Sequence, residues 1–269
     1  MKIGKATVPK SAICTADEHT IVVRGHDLCR ELIGGISFTD YFHLMLTGRR
    51  ATPQALAVLD AALVAIAEHG LVPSVQASRM TLAAAPDALQ GAVAAGILGS
   101  GAVILGASET AGRLFDEVET AIKAGATIDA AAASVVQAWR AQKRPIAGYG
   151  HPLHKTRDPR VDALFAVARK HGVDGRYIAI AEAVESAIPA IVGRELKLNV
   201  SAAIPAVLLG VGFPLKALRG VPILARTAGL LAHLQEEMEQ PIGFALSYQA
   251  ARDAEYTGTL PAGITIAKG

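Results

Sequence analysis

Two long stretches without a charge decide what this chain can become. One, ALQGAVAAGILGSGAVILGAS, fills the space between Asp87 and Glu109; the other, LNVSAAIPAVLLGVGFPL, lies between Lys197 and Lys216. Each approaches the roughly 20 residues that span a bilayer. Their makeup argues against lipid. Ala, Gly, Ser and Pro predominate over Leu, Ile and Phe, so transfer into hydrocarbon gains little, and neither stretch has an aromatic belt. They read instead as helices enclosed by protein in a globular interior. No membrane partner is expected.

Aromatics are 4% of a chain that is 51% hydrophobic, and alanine is abundant. Strands favour β-branched and aromatic residues, whereas alanine is the best helix former, so the fold class is all-α. A length of 269 residues allows one large domain or two modest ones. Lys and Arg total 26 against 24 Asp and Glu, a formal charge of +2, too slight for a nucleic-acid partner. Cys14 and Cys29 make no CxxC pair and no disulfide framework. The start MKIGKATVPK lacks the apolar run of a secretory signal, so the expected location is cytoplasmic.

Periodicity places the elements. Residues 11–25 read as a small β ribbon, with a strand in 20–26 running into a glycine turn. Ser37 reads as the N-cap of a helix over 38–46 that ends near Gly48. Thr52-Pro53 opens another, in which Leu56, Leu59, Leu63 and Ile66 share a face; Gly70 stops it, which puts His69 at or next to its last residue. A helix follows over 74–85. The glycines of the first uncharged stretch predict helix, tight turn, helix. Further helices are expected around Leu114 to Ile122, over 129–143, from Val161 to Gly172, over 177–192 with Pro189 bending or ending it, over 199–209 interrupted by Pro205, and from Gly220 to Met238.

Residues 144–160, RPIAGYGHPLHKTRDPR, break this pattern. Three prolines and two glycines forbid a regular helix, and a polar loop on a rigid scaffold is where function concentrates. Several motifs are absent or incomplete. No GxGxxG follows a strand, and Gly96, Gly99 and Gly101 lack the GK[ST] ending of a phosphate loop, so they read as close helix packing. His151 and His154 have no Cys or carboxylate at zinc-ligand spacing; no metal is expected. What remains is a set of cations and imidazoles in an apolar chain: His69, His151, Arg160, Arg226 and His233. Arg226 and His233 are two turns apart on one helix face. An arginine among the small residues of Ala225-Arg226-Thr227-Ala228-Gly229 calls for an anion, and a carboxylate fits its fork. Two such arginines with neutral histidines suit a small polycarboxylate whose carbonyl or hydroxyl is polarised.

These segments resemble the citrate synthase superfamily. Gly148-Tyr149-Gly150-His151 and Asp158-Pro159-Arg160 look like its active-site loop. Arg24-Gly25-His26-Asp27, Ser37-Phe38, Leu46-Thr47-Gly48, Asn199-Val200 and Ala225-Arg226-Thr227-Ala228-Gly229 with His233 follow in the family's order. The length and the Glu68-His69-Gly70 block look more like the citryl-CoA lyases, including the lyase module of ATP-citrate lyase. The resemblance implies a two-domain helical fold with a cleft, residues 1–106 and 214–269 forming the large domain and 107–213 the small one. It implies a homodimer or higher homo-oligomer.

Carried over residue by residue, His69 would bind the substrate's carboxylate or hydroxyl, and His151 the oxygen of the tertiary alcohol. Arg160 and Arg226 would clamp carboxylates. Ile146, Gly148 and Gly150 would follow the CoA adenine through the backbone, and Lys155 would meet CoA phosphate. Two positions depart from the synthases. Ile104 stands where they hold the thioester enolate with a histidine, a histidine the lyases also lack. Ser201 stands where the family has an acid/base aspartate after Asn-Val, and a serine hydroxyl does not carry a carboxylate's proton transfer unaided. The implied reaction is cleavage of a 3-hydroxy-3-carboxyacyl-CoA, citryl-CoA to acetyl-CoA and oxaloacetate in the leading case. Coenzyme A enters as part of the substrate, and no permanently bound cofactor is expected. The alternatives are a citrate synthase-type condensing enzyme and a catalytically degenerate CoA-thioester-binding protein.

Overall fold

The computed structural model describes residues 9–150 and 157–266. Three short strands, β1 (Cys14–Ala16), β2 (Ile21–Val23) and β3 (His26–Asp27), precede a π-helical turn (Leu28–Leu32). The helices follow: α1 (Phe38–Thr47), α2 (Pro53–Ala67), α3 (Pro73–Ala84), α4 (Leu89–Leu98), α5 (Ala107–Lys123), α6 (Ile128–Ala141), α7 (Pro159–Lys170), α8 (Arg176–Val192), α9 (Val200–Gly210), α10 (Gly220–Glu239) and α11 (Gly243–Asp253). The fold is all-α, as expected. Among the described residues no helix is long and apolar enough to cross a membrane. The chain forms two compact units, residues 1–65 with 108–218 and residues 66–107 with 219–269.

In the first unit the strands form an antiparallel meander with Val23 opposite both Cys14 and His26. Arg24 and Gly25 turn between β2 and β3 with φ of 51° and 86°, the left-handed pair that a tight hairpin requires. The Arg24 side chain tolerates this because Nε and Nη2 both donate to the Met45 carbonyl, at 2.9 and 2.6 Å. Ser37 caps α1 by accepting from the Asp40 amide, and Gly48 ends it in the left-handed region. Thr52 caps α2 through the Ala55 amide. The second uncharged stretch contains α9, buried from Ala202 to Leu208. Pro189 and Pro205 both lie inside continuous helices.

The second unit packs α3, α4, α10 and α11. Here the first uncharged stretch differs from expectation. It yields a single helix, α4, then a turn over 99–106 in which the Gly101 carbonyl accepts from the amides of Ile104 and Leu105. The next helical residues already belong to α5. Gly96 lets α4 approach closely, since a Cβ there would lie 2.7 Å from a Leu230 methyl and 3.0 Å from the Ser74 carbonyl. Arg79 is buried among carboxylates: Nε donates to Glu237 at 2.6 Å, Nη1 to Glu236 at 2.5 Å and Nη2 to the Gln240 carbonyl at 3.0 Å. Glu237 in turn accepts from the Ile242 and Gly243 amides at the start of α11.

Candidate active site

In the first unit the loop before His151 is laced to the segment before α9. The Gly150 amide donates to the Lys197 carbonyl at 2.6 Å, the Asn199 amide to the Gly148 carbonyl at 2.9 Å, and the Asn199 side-chain amide to the Gly150 carbonyl at 2.6 Å. Gly148 is required here twice over. Its φ is +90°, and a Cβ would lie 2.5 Å from that of Ala202. Tyr149 turns inward and donates to the Ala181 carbonyl at 2.9 Å; burial pushes its phenol well above the usual value. Of the groups expected to follow an adenine, the Gly148 carbonyl and the Gly150 amide and carbonyl are thus occupied. The backbone of Ile146 makes no hydrogen bond among the described residues.

Asn199 also caps α9, its side-chain oxygen accepting from the Ser201 amide at 2.9 Å. Ser201 is half-buried, and its hydroxyl makes no hydrogen bond among the described residues. Pro205, four residues on, has no N–H to offer the Ser201 carbonyl. Beside them Asp158, whose side chain is 0% exposed, joins the first turns of two helices. It caps α7 by accepting from the Arg160 amide at 3.0 Å and reaches the Val200 amide of α9 at 3.2 Å. The Arg160 guanidinium forks onto the same carboxylate, Nε at 3.0 Å and Nη2 at 2.8 Å, and Nη1 lies 3.5 Å from the Ala65 carbonyl. Burial alone would raise the Asp158 carboxyl; the bonds from Arg160 and Val200 outweigh it and hold the group below its ordinary value. One N–H on each Nη nitrogen of Arg160 stays available for a ligand oxygen.

The second unit assembles the other candidates. At Gly229 helix α10 crosses the end of α2 so closely that a Cβ would lie 2.0 Å from the Ala67 carbonyl. Arg226 and His233, both half-buried, lie three residues before and four after this crossing, on the same face. His233 Nε2 is 2.9 Å from Glu68 Oε2. The other Glu68 oxygen accepts from the Gly70 amide. Burial opposes the charge on Glu68, but His233 and the Gly70 amide prevail and lower its carboxyl. Helix α2 ends at Ala67, so His69 stands two residues beyond the helix, half-buried beside this pair. Ile104 sits in the turn after α4.

The structure therefore collects Gly148, Gly150, Arg160 and Ser201 in one unit, and His69 and Arg226 in the other. His151 and Lys155 lie outside the described residues. Among the described residues no three His, Cys, Asp or Glu side chains are grouped to hold a metal ion. Asp158, Asn199 and Glu68 are the polar residues that sequence reasoning did not assign to the site. Asp158-Pro159 carries an N-cap signal; the Glu68–His233 pairing has none, since nothing local links the two.

A sequence profile of the family described as "Citrate synthase, C-terminal domain" matches residues 6–243. The citrate synthase of Deinococcus radiodurans is 31% identical over 222 residues, 81% of this chain and 55% of that protein. The chain spans about half the length of the curated relatives it matches. Among solved structures, citryl-CoA lyase from Hydrogenobacter thermophilus superposes with a TM-score of 0.83 at 32% identity, covering 96% of this chain and 98% of that one. ATP citrate lyase from Methanothrix soehngenii, in complex with citrate and coenzyme A, shares the fold at a TM-score of 0.76 and 22% identity, over 98% of this chain and 44% of its own. With the helical architecture, the laced loop and a profile running through nearly all of it, this chain belongs to the citrate synthase family.

Proposed function

We propose that this protein is a citryl-CoA lyase-like enzyme that cleaves a 3-hydroxy-3-carboxyacyl-CoA, with citryl-CoA going to acetyl-CoA and oxaloacetate as the leading case. The observation that carries this reading is the end-to-end likeness to a citryl-CoA lyase, 98% of whose chain is covered, against the partial coverage of the synthases. The resemblance to the family assigns a role to side chains of each unit. Arg160 and Arg226 hold its carboxylates, and His69 its carboxylate or hydroxyl. His151 takes the proton from the tertiary hydroxyl; an imidazole with an ordinary pKa of about 6.5 serves at neutral pH. The alkoxide collapses to the keto acid as the carbon–carbon bond breaks, and its electron pair moves into the thioester enolate. A water on the Ser201 hydroxyl protonates that carbon, and the hydroxide left behind takes up the proton that His151 removed. Ile146, Gly148, Gly150 and Lys155 receive the CoA moiety. The protein works as a cytoplasmic homodimer, for which sedimentation equilibrium is expected to return twice the chain mass of 27.8 kDa.

Purified protein mixed with citryl-CoA is expected to release oxaloacetate, followed by its reduction in a coupled assay. His151→Ala is expected to lose about a hundredfold or more in rate, the worth of a positioned acid–base group. Absence of release from citryl-CoA and from other branched hydroxyacyl-CoA thioesters overturns the reading. The family aspartate's replacement by Ser201 favours one second reading, a protein that binds CoA thioesters without turnover. Calorimetric binding of citryl-CoA with no product would establish it.

A further inference from the structure

A carboxylate is out of place beside a clamp for carboxylates, yet Glu68 stands between His69 and the face of α10 that carries Arg226. Although its side chain is exposed, both of its oxygens are engaged. One accepts from the Gly70 amide; the other lies 2.9 Å from His233 Nε2, a nitrogen that is itself buried. A Cβ on Gly229 would lie 3.4 Å from that second oxygen, so Glu68 covers the point where α10 passes the end of α2. Helix α2 has ended at Ala67, and the turn that presents His69 lies beyond its hydrogen-bond ladder, reversing at Gly70 with φ of 71°. The Glu68 side chain supplies a tie in place of that ladder, to the turn through Gly70 and to α10 through His233. Arg226 lies seven residues before His233, about 10 Å along the same helix face. Glu68 is ionised, its carboxyl lowered against the pull of burial. An anionic oxygen this near Nε2 requires a proton on that nitrogen, since two lone pairs would repel. The N–H turned on Glu68 offsets a negative charge that would otherwise repel a polycarboxylate arriving at Arg226.

We propose that Glu68 is a positioning residue: braced against His233, its carboxylate holds the His69 turn to the helix that carries Arg226, so that the two meet the substrate as a preset pair. The substrate contacts in this statement rest on the lyase reading; the brace between the turn and α10 does not. Loosening the turn acts on the chemical step, where a misplacement of about 1 Å can cost about a hundredfold. Baring the carboxylate by removing His233 acts on substrate binding instead.

The wild type would be compared with Glu68→Ala, His233→Leu and the double variant Glu68→Gln/His233→Leu, each checked by circular dichroism. Glutamine keeps an acceptor for the Gly70 amide but not the charge; leucine keeps bulk at 233 but not the N–H. Amide hydrogen exchange of residues 67–72 would be followed by mass spectrometry without substrate. Glu68→Ala and His233→Leu are both expected to quicken it about tenfold, the second from a position remote in the sequence. With citryl-CoA, Glu68→Ala is expected to lower kcat about tenfold or more with a smaller change in KM. His233→Leu is expected to raise KM about tenfold, and adding Glu68→Gln to restore most of that rise, a rescue that lost packing cannot produce. Turn exchange unchanged in His233→Leu overturns the brace. Wild-type kcat in Glu68→Ala, or a double variant whose KM is no lower than that of His233→Leu, overturns the positioning role. If the wild type cleaves citryl-CoA in any of these cases, this inference alone has failed. If the wild type releases no oxaloacetate while the turn still loosens in both single variants, the lyase reading has failed and the brace stands.

Discussion

Asp158 accepts hydrogen bonds from the Arg160 backbone, the Arg160 side chain and the Val200 amide while wholly enclosed. Such a carboxylate is stable only as an anion that keeps all its donors. Its native carboxyl is lowered, so the unfolded chain binds this proton more readily than the native one. The stability it contributes is complete above the ordinary carboxylate range and is lost as pH falls through the lower native value. In urea titrations at a series of pH values, Asp158→Asn is expected to be less stable at neutral pH. Its unfolding free energy should also fall less steeply than the wild type's below about pH 4. Equal slopes would show that Asp158 is not the group being titrated. The same carboxylate changes what Arg160 can offer: it is a positioned cation already half engaged, rather than an open fork.

Helix ends tell how the elements are specified. Ser37, Thr52 and Gly48 announce α1 and α2 locally, and those helices were legible. Helix α11 was not, because its first amides are satisfied by Glu237, a residue of the preceding helix, and no Ser, Thr, Asp or Asn stands at its start. The first uncharged stretch misled for a related reason. Gly99 and Gly101 mark a turn correctly, but the turn runs to Gly106 on backbone bonds to the Gly101 carbonyl, and backbone geometry leaves no periodic trace. Pro189 and Pro205 read as helix breakers yet lie within α8 and α9, whose burial supplies more than a missing hydrogen bond removes. The candidate site was legible as residue types in family order. The partners that orient them, Asp158 and Glu68, were not, since pairing depends on tertiary contact. Gly148 gives the sharpest test at this scale. Gly148→Ala meets both a left-handed φ and the Ala202 methyl, and is expected to cost about 2–5 kcal/mol in denaturant unfolding. A cost below about 0.5 kcal/mol would mean the loop does not lie against α9.

At the level of the whole chain, neither unit is a continuous segment: each is built from two stretches. Each also has a buried ionic centre of its own, Asp158 with Arg160 in one and Arg79 with Glu237 in the other. The lacing of the loop adds something about length. Gly150 is tied to Lys197 and Asn199, and Asp158 to Val200, so both banks of the intervening segment rest on four successive residues. Closing that span costs entropy that grows only with the logarithm of its length, so two extra glycines after Lys155 would cost about 0.2 kcal/mol. The melting behaviour of such an insertion variant is expected to match the wild type while citryl-CoA cleavage collapses. Folding would thus accept many spans between those moorings, and only the proposed reaction would demand the particular number of residues from His151 to Arg160.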